Sequence, residues 1–215
     1  MEIKVMTNVL QSNDDLAKTN QRLFDQHKVF CINLMGSPGA GKTTLLENTL
    51  KLLTDKLNVA VIEGDIYTDK DAERIEATGV PVVQINTGGA CHLDAGMVNK
   101  VLGKFDFNAM DLMIVENVGN LVCPVEFSVG EHQKIAVLSI IEGEDKPLKY
   151  PLIFKESTAA VLSKVDLAEL CEISIENIKR DILSINPQIK IFEVASRKGQ
   201  GLPEFANWLI SQCPK

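Results

Sequence analysis

Residues 29–46 read VFCINLMGSPGAGKTTLL, and this stretch decides the fold. Its first seven residues, 29–35, form an apolar run with the length of a buried β-strand. Residues 36–43 match the phosphate-binding pattern Gly-x-x-x-x-Gly-Lys-Ser/Thr, and helix-favouring residues follow from Thr43 onward. A strand that opens into a glycine-rich loop and then into a helix is the setting that a P-loop requires. The stretch therefore predicts a P-loop nucleotide-binding protein.

Apolar runs alternate with helical patterns along the rest of the chain. We predict strands at 59–62, 80–85, 112–115, 134–141, 159–162 and 189–194, and helices at 69–78, 93–102, 173–185 and 202–210. This alternation is typical of an α/β fold with a mostly parallel sheet flanked by helices on both faces. A length of 215 residues suits a single P-loop domain over residues 1–215. Residues 1–27 are predicted to be an N-terminal helical extension, capped by Asn13-Asp14-Asp15.

The overall charge narrows the classes of partner. The chain has a net charge of −7 and a pI near 5.1, whereas nucleic acids and anionic membranes attract basic surfaces. No apolar run approaches the roughly 20 residues that span a bilayer, and the N-terminus lacks the pattern of a signal peptide. We therefore expect no nucleic-acid partner, no membrane association and a cytoplasmic location. Five cysteines without framework spacing indicate free or metal-binding thiols rather than disulfides.

The P-loop pattern predicts how phosphates are held. Backbone N–H groups of the loop and the N-terminus of the next helix surround the phosphates. Lys42 is expected to bind the β- and γ-phosphates, and the Thr43 hydroxyl to complete the Mg²⁺ shell. The residues predicted to contact nucleotide in this segment are Gly36, Ser37, Gly39, Ala40, Gly41, Lys42, Thr43 and Thr44.

Two acidic residues follow predicted strands and extend the expected phosphate site. The carboxyl ends of parallel strands meet at one edge of a sheet, so Asp65 and Glu116 are candidate Mg²⁺ ligands beside Thr43; the alternative is that each is a solvated strand-end acid. The segment from Glu116 to Gly119 has the acidic-x-x-Gly spacing of a γ-phosphate-sensing switch, in which the Gly119 amide contacts the terminal phosphate. We predict Lys42, Asp65 and Glu116 as catalytic residues. Slow intrinsic turnover is expected, because no glutamine or cis arginine stands out for positioning water.

Ser163-Lys164-Val165-Asp166 follows a predicted strand and indicates guanine recognition. It matches the Asn-Lys-x-Asp motif of GTPases at every position except the first. The Asp166 carboxylate can accept hydrogen bonds from N1–H and the 2-amino group of guanine, a pair that adenine does not offer, while the Lys164 stem would cover the base. Ala195 and Ser196 lie where GTPases place a second base-contacting loop. Since the missing asparagine normally braces the P-loop, Ser163 predicts weaker nucleotide affinity.

A set of thiol and imidazole groups forms a second candidate site. Cys91 and His92 lie in a glycine-rich loop after a predicted strand, and Cys123 lies in the loop that issues from the switch segment. Thiolate and imidazole ligands suit Zn²⁺ or Ni²⁺, and Ni²⁺ tolerates square-planar nitrogen–sulfur coordination. Taken one at a time, each residue could equally be a small buried cysteine or a surface histidine. Their shared location predicts a metal site at Cys91, His92 and Cys123.

Four motifs stand out along the chain: NLMGSPGAGKTT at 33–44, EGD at 63–65, TGGACHLD at 87–94 and ENVGNLVCP at 116–124. Together they resemble the HypB family of nickel-incorporation GTPases in nickel–iron hydrogenase maturation. The resemblance runs along essentially the whole chain, and the Cys-Pro pair of the last motif is its most specific part. It implies a SIMIBI-type P-loop GTPase with GTP or GDP, Mg²⁺, and Ni²⁺ or Zn²⁺ as its ligands.

The resemblance also implies partners. It predicts a homodimer that forms in a nucleotide-dependent way, with Cys91, His92 and Cys123 at the interface and Lys155 reaching the guanine bound by the other subunit. It further implies transfer of Ni²⁺ to the hydrogenase large subunit together with a zinc-bearing, HypA-like accessory protein. Residues 1–30 contain neither the cysteine-rich nor the histidine-rich segment of some relatives, so we expect no metal storage there.

Three alternatives stay open at this point. A urease-type nickel chaperone GTPase shares the segment 65–68, but that family has Cys-Pro-His in place of Cys91-His92 and lacks a counterpart of Cys123-Pro124. A P-loop kinase or ATPase without metal cargo conflicts with Asp166. A GTPase that acts on a protein partner alone would make the cysteines purely structural.

Overall fold

The computed structural model describes residues 8–67 and 70–214. Within these ranges the chain forms one sheet of seven parallel strands, with bounds β1 Phe30–Gly36, β2 Val59–Asp65, β3 Val82–Asn86, β4 Leu112–Glu116, β5 Gln133–Ser139, β6 Ala159–Ser163 and β7 Lys190–Val194. The strand order is β3-β2-β4-β1-β5-β6-β7. The P-loop strand β1 is therefore central, between β4 and β5, where the strand order changes direction and ligands bind beyond the carboxyl ends of the strands.

Helices cover both faces of this sheet. Their bounds are α1 Asn8–His27, α2 Lys42–Leu53, α3 Lys70–Glu76, α4 Ala95–Leu102, α5 Cys123–Glu126, α6 Lys146–Lys149, α7 Pro151–Glu156, α8 Ile175–Ile185 and α9 Leu202–Gln212, with 3₁₀ turns at Phe107–Ala109, Ile140–Glu142, Val165–Leu167 and Ser196–Lys198. Helices α2, α3 and α9 pack on one face, and α1, α4, α7 and α8 pack on the other.

Strand β1 has apolar side chains on both faces of the sheet, so helices must pack on both faces to exclude water. Successive residues point to opposite faces, so Ile32 and Leu34 enter the core beneath α2 and α9, while Cys31 and Met35 enter the opposite cores. Each of the four is at most 2% exposed. A strand buried on both faces reads as an unbroken apolar run, which is the pattern that predicted it. The predicted α/β fold with a mostly parallel sheet and helices on both faces is confirmed.

Several predicted boundaries are wrong for identifiable reasons. The cap predicted at 13–15 lies inside α1, because the Asn13 side chain bonds Ala95 and Ser128 instead of its own helix terminus. The strand predicted to end at Ile141 ends at Ser139, where a 3₁₀ turn begins and the Ser139 N–H donates to Glu142 Oε1 at 3.2 Å. The short helices α5, α6 and α7 were not predicted. Residues 1–7 of the predicted N-terminal extension and Asp69 of the helix predicted at 69–78 lie outside the described residues.

Two expectations drawn from composition can be compared with the structure. All five cysteines lie in the described ranges and are free, as predicted. In the same ranges, no helix has the combined length and apolar character needed to cross a membrane.

Candidate functional site

A cleft of about 750 Å³ lies beyond the carboxyl ends of the central strands. It brings together most of the predicted nucleotide residues with several that were not predicted. Its lining consists of Pro38, Gly39, Gly41, Lys42, Thr43, Thr44, Glu63, Gly64, Asp65, Ile66, Asp71, Arg74, Glu116, Asn117, Val118, Gly119, Ile141, Ser163, Lys164, Asp166, Leu167, Ser196 and Arg197. This volume suits one small ligand with several convergent polar groups.

The P-loop wraps around the start of α2. Gly41 precedes the helix with φ of 91°, a left-handed conformation that a residue with a side chain rarely adopts. The Lys42 ammonium is buried and donates to the carbonyl oxygens of Gly36 and Ser37 at 3.3 and 3.4 Å. Ser37 in turn donates its hydroxyl to Glu142 at 2.5 Å. The loop therefore holds a cation and a helix N-terminus at the floor of the cleft, which is the arrangement that binds phosphates.

Two buried glutamates face each other beside the P-loop. Glu63 of β2 is the register partner of Glu116 of β4, and both are at most 4% exposed. Thr43 donates its hydroxyl to Glu116 Oε1 at 2.8 Å. Burial, followed by the neighbouring Glu116 carboxylate, raises the pKa of Glu63 to about 11. Burial also raises the pKa of Glu116, although Lys42 and Thr43 oppose that shift. Glu63 therefore carries the proton and donates it to Glu116.

This carboxyl pair has spare acceptor capacity. Apart from the proton that the two glutamates share, no hydrogen-bond donor among residues 8–67 and 70–214 reaches Glu63 Oε1 or Glu116 Oε2, and Asp65 lines the same cleft at the end of β2. Hard divalent cations prefer several oxygen ligands, and Thr43 adds a hydroxyl oxygen to this group. The residues present therefore fit a Mg²⁺ ion. Glu63 was not predicted as a site residue, although a glutamate inside an otherwise apolar strand is a signal that could have identified it.

Replacing Glu63 with glutamine should stabilise the protein in the absence of nucleotide and metal. Between the ordinary glutamate pKa near 4.5 and about pH 11, the folded state keeps a proton that the unfolded state releases, so stability falls as pH rises. Glu63→Gln keeps a donor to Glu116 and removes this dependence. We expect a gain of about 1 to 3 kcal/mol at pH 8 that disappears near pH 4.

Urea unfolding in EDTA between pH 4 and 8 measures this difference. The matched control is Glu76→Gln, at an exposed position of α3. Stability curves of wild type and Glu63→Gln that run parallel across this pH range would contradict a buried, protonated Glu63.

The base-recognition motif lies at the opposite end of the cleft. Ser163 donates its hydroxyl to the Ala40 carbonyl at 2.5 Å, so the serine still braces the P-loop. Lys164 donates to the Gly39 carbonyl at 2.7 Å, which lays its stem along the loop. Asp166 forms an ion pair with Lys198 at 3.1 Å. Although Ser163 replaces the asparagine of the usual motif, it keeps a contact between the base motif and the P-loop.

The predicted switch segment touches the P-loop directly. A Cβ atom placed on Gly119 would lie 2.8 Å from Pro38 N and 2.9 Å from Pro38 Cα, so only glycine permits this approach. Asn117 is 1% exposed, and its Oδ1 accepts from the backbone N–H groups of Leu93 at 2.9 Å and Val118 at 3.0 Å. Leu93 directly follows His92. One side chain therefore links the switch segment to the loop that carries Cys91 and His92.

The predicted metal ligands lie together. One potential ligand atom from each of Cys91, His92 and Cys123 falls within 4.8 Å of the others. Cys91 Sγ is 3.5 Å from His92 Nδ1, and the His92 ring stacks on Phe127 with centroids 4.0 Å apart. Phe127 ends the short helix α5 that begins at Cys123. The group has the composition and compactness of a transition-metal site.

Two groups of this cluster, His92 and Cys123, have pKa values that the surroundings shift. Partial burial lowers the pKa of His92, partly opposed by Asp94, and this favours the neutral imidazole, which is the form that binds metals. A hydrogen bond with Cys91 raises the pKa of Cys123. Since metals bind thiolates, loading this group releases protons and is favoured by rising pH.

Other predicted residues lie around the cleft or away from it. Gly36, Ser37 and Ala40 form the loop behind the lining residues, and Ala195 is buried beside Ser196. Lys155 lies exposed in α7 and is not among the described residues that line the cleft of its own chain. Arg74 and Asp71 of α3 were not predicted. The Arg74 guanidinium donates to Thr44 at 3.0 Å and to Glu47 at 2.8 Å, a placement that depends on how α3 packs against α2.

Comparison with known proteins points to one family. The family described as CobW/HypB/UreG, nucleotide-binding domain, matches residues 30–193. The hydrogenase maturation factor HypB of Azotobacter vinelandii is 45% identical over 210 residues, which cover 98% of this chain and 69% of that protein. The hydrogenase/urease maturation factor HypB of Helicobacter pylori (strain 26695) is 37% identical over 98% of this chain and 88% of its own length.

A solved structure agrees with these sequence comparisons. The crystal structure of HypB from Helicobacter pylori in complex with nickel matches with a TM-score of 0.87 and 36% identity, over 94% of each chain. Together with the parallel sheet, this match confirms the predicted α/β fold, and both curated relatives described above are named HypB. The chain belongs to the HypB family of hydrogenase maturation factors, a family of P-loop GTPases.

Proposed function

We propose that this chain is a GTP-hydrolysing metallochaperone that binds Ni²⁺ or Zn²⁺ at Cys91, His92 and Cys123 and delivers nickel during maturation of a nickel–iron hydrogenase in the cytoplasm. The observation that supports this proposal most directly is the position of the metal cluster relative to the nucleotide cleft. Glu116 and Cys123 lie seven residues apart on one segment, and Asn117 bonds the residue after His92. A change at the terminal phosphate can therefore reach both metal-binding loops through directly bonded residues.

The nucleotide cleft supports hydrolysis with the following assignment. Lys42 and the amide of Gly119 bind the γ-phosphate, and Thr43, Asp65 and Glu116 hold Mg²⁺. The bound ion would neutralise charge on the phosphates. Asp65 orients the attacking water, and Glu63 keeps the proton that prevents two adjacent carboxylates from repelling each other. Asp166, Lys164 and the loop at Ala195–Ser196 select guanine.

Metal release follows from loss of the γ-phosphate contact. With GTP bound, the segment from Glu116 to Cys123 is held against the P-loop, and two copies of the chain associate with their metal clusters facing each other. Lys155 of each copy then reaches the guanine bound by the other. Hydrolysis removes the contact at Gly119, the segment relaxes, and the ligand set weakens. The released Ni²⁺ passes to the hydrogenase large subunit with the aid of a HypA-like zinc-bearing protein.

Calorimetric titration with Ni²⁺ and with Zn²⁺ tests the coupling between nucleotide and metal. We expect the wild-type affinity for Ni²⁺ to differ about tenfold between a non-hydrolysable GTP analogue and GDP. Cys91→Ala should lower the affinity and remove the difference between nucleotides. Cys171→Ala changes another exposed cysteine outside the cluster and should behave as wild type.

Two results would overturn the proposal. Equal metal affinity for wild type and Cys91→Ala would remove the metal site. Equal affinity with the GTP analogue and with GDP would leave a metal site but remove the coupled release on which delivery depends.

A further inference from the structure

We propose that helix α1 positions the ligands of the metal site, because the side chains of Asn13 and Asn20 hydrogen-bond both of the segments that carry those ligands. One segment continues from His92 into α4, and the other continues from Cys123 through α5 to residues 128–131. The inference rests on the proposed metal function, but its main test uses the protein without metal.

The two asparagines lie on the buried face of α1. They are two helical turns apart, so their side chains project from the same face, with Ala17 between them. Asn13 is 7% exposed and Asn20 is fully buried. A buried amide stays in a core only where its donors and acceptors find partners, so the contacts of these two side chains show what the face is built to hold.

Asn13 bonds both ligand-bearing segments at once. Its Oδ1 accepts from the N–H of Ala95 at 2.9 Å, three residues after His92. Its Nδ2 donates to the carbonyl of Ser128 at 2.9 Å, five residues after Cys123.

Asn20 repeats this bridge two turns later. Its Nδ2 donates to the carbonyls of Ala95 at 2.9 Å and Val129 at 3.0 Å. Its Oδ1 accepts from Asn99 of α4 at 2.7 Å, so each polar atom of the amide has a partner. Both asparagines therefore bond the same two segments, and among the described residues neither bonds one that lines the nucleotide cleft.

The second segment, at residues 128–131, packs its backbone directly against α1. A Cβ atom on Gly130 would stand 2.6 Å from Asn20 Cβ and 2.8 Å from the Ala17 carbonyl oxygen. Glu131 holds this turn from within, since its Oε2 accepts from Ser128 Oγ and from the N–H of Val129. The bridge is thus rigid on both sides, and it sets the distance between Cys91–His92 and Cys123.

Thiol cross-linking measures that distance without metal. In a Cys171→Ser background, the remaining exposed or half-exposed thiols are Cys91 and Cys123, and dibromobimane becomes strongly fluorescent when it links two nearby thiols. Asn13→Asp keeps the acceptor for Ala95 and loses the donor to Ser128, so it releases the Cys123 side alone. Asn20→Asp loses both donors. Thr19→Ala, on the exposed face of the same helix, is the matched control.

We expect cross-linking to slow several-fold in Asn13→Asp and further in Asn20→Asp, with Thr19→Ala unchanged. Ni²⁺ affinity should fall in the same order, by about tenfold, as for other residues that hold metal ligands in place. Affinity for a fluorescent GTP analogue should stay at the wild-type value in all three and reports intact folding. If Asn20→Asp fails this folding control, Asn13→Asp decides alone.

The inference is wrong if folded Asn13→Asp cross-links at the wild-type rate. Failure of wild type to bind Ni²⁺ would instead overturn the proposed function, and the cross-linking rates would still decide whether α1 fixes the spacing of the two segments.

Discussion

Asp166→Asn should lower the affinity for GTP by about 10³- to 10⁴-fold and create affinity for xanthosine triphosphate. Guanine presents two adjacent donors, N1–H and the 2-amino group, and the Asp166 carboxylate can accept from both. Asparagine turns one acceptor into a donor, so one guanine N–H loses its partner and meets another N–H. Xanthine carries a carbonyl oxygen in place of the 2-amino group, and the new amide can donate to it. The ion pair with Lys198 holds Asp166 in position. A neutral asparagine at position 166 would contact Lys198 less strongly.

Displacement of a fluorescent GTP analogue by GTP, ATP and xanthosine triphosphate measures this exchange. Asp55→Asn makes the same change at an exposed position away from the cleft and should leave all three affinities as in wild type. Displacement by ATP as effective as by GTP on the wild type would refute guanine selection. So would an Asp166→Asn variant that still prefers GTP to xanthosine triphosphate.

Features that depend on short stretches of sequence could be predicted. The P-loop is one segment, and Asp166 lies four residues after the strand residue Leu162 within a recognisable motif. The metal cluster required one further step, that loops after parallel strands meet at one edge of the sheet. Cys91 and His92 follow β3, Cys123 follows β4, and these loops do meet.

Features that depend on pairing between distant segments could not be predicted. Glu63 becomes part of the cleft because β2 pairs with β4 in the register that sets Glu63 opposite Glu116. The sequence of neither strand indicates which other strand it will pair with. The same limit applies to α1, where an Asn-Asp-Asp run is typical of a helix cap. Asn13 instead satisfies Ala95 and Ser128, partners that come close only once the whole sheet has formed.

Gly119→Ala should reduce GTP hydrolysis by about 10²- to 10³-fold while GDP affinity stays near the wild-type value. The added methyl group would lie 2.8 to 2.9 Å from backbone atoms of Pro38, and the P-loop is too constrained by Ser37 and Ser163 to give way. The switch segment must therefore retreat, which removes its amide from the γ-phosphate.

The same retreat should move Asn117, since it is two residues away and bonds Leu93 beside the metal loop. We therefore expect Gly119→Ala to bind Ni²⁺ equally with a GTP analogue and with GDP. Single-turnover hydrolysis and metal titration measure the two effects separately. Gly103→Ala is the matched control, because a Cβ atom there meets open space at the end of α4. Wild-type hydrolysis by Gly119→Ala would exclude the Gly119 amide from catalysis. Lost hydrolysis with an intact difference in metal affinity between nucleotides would instead separate catalysis from metal release, because the signal would then reach Cys91 and Cys123 without the switch segment closing on the P-loop.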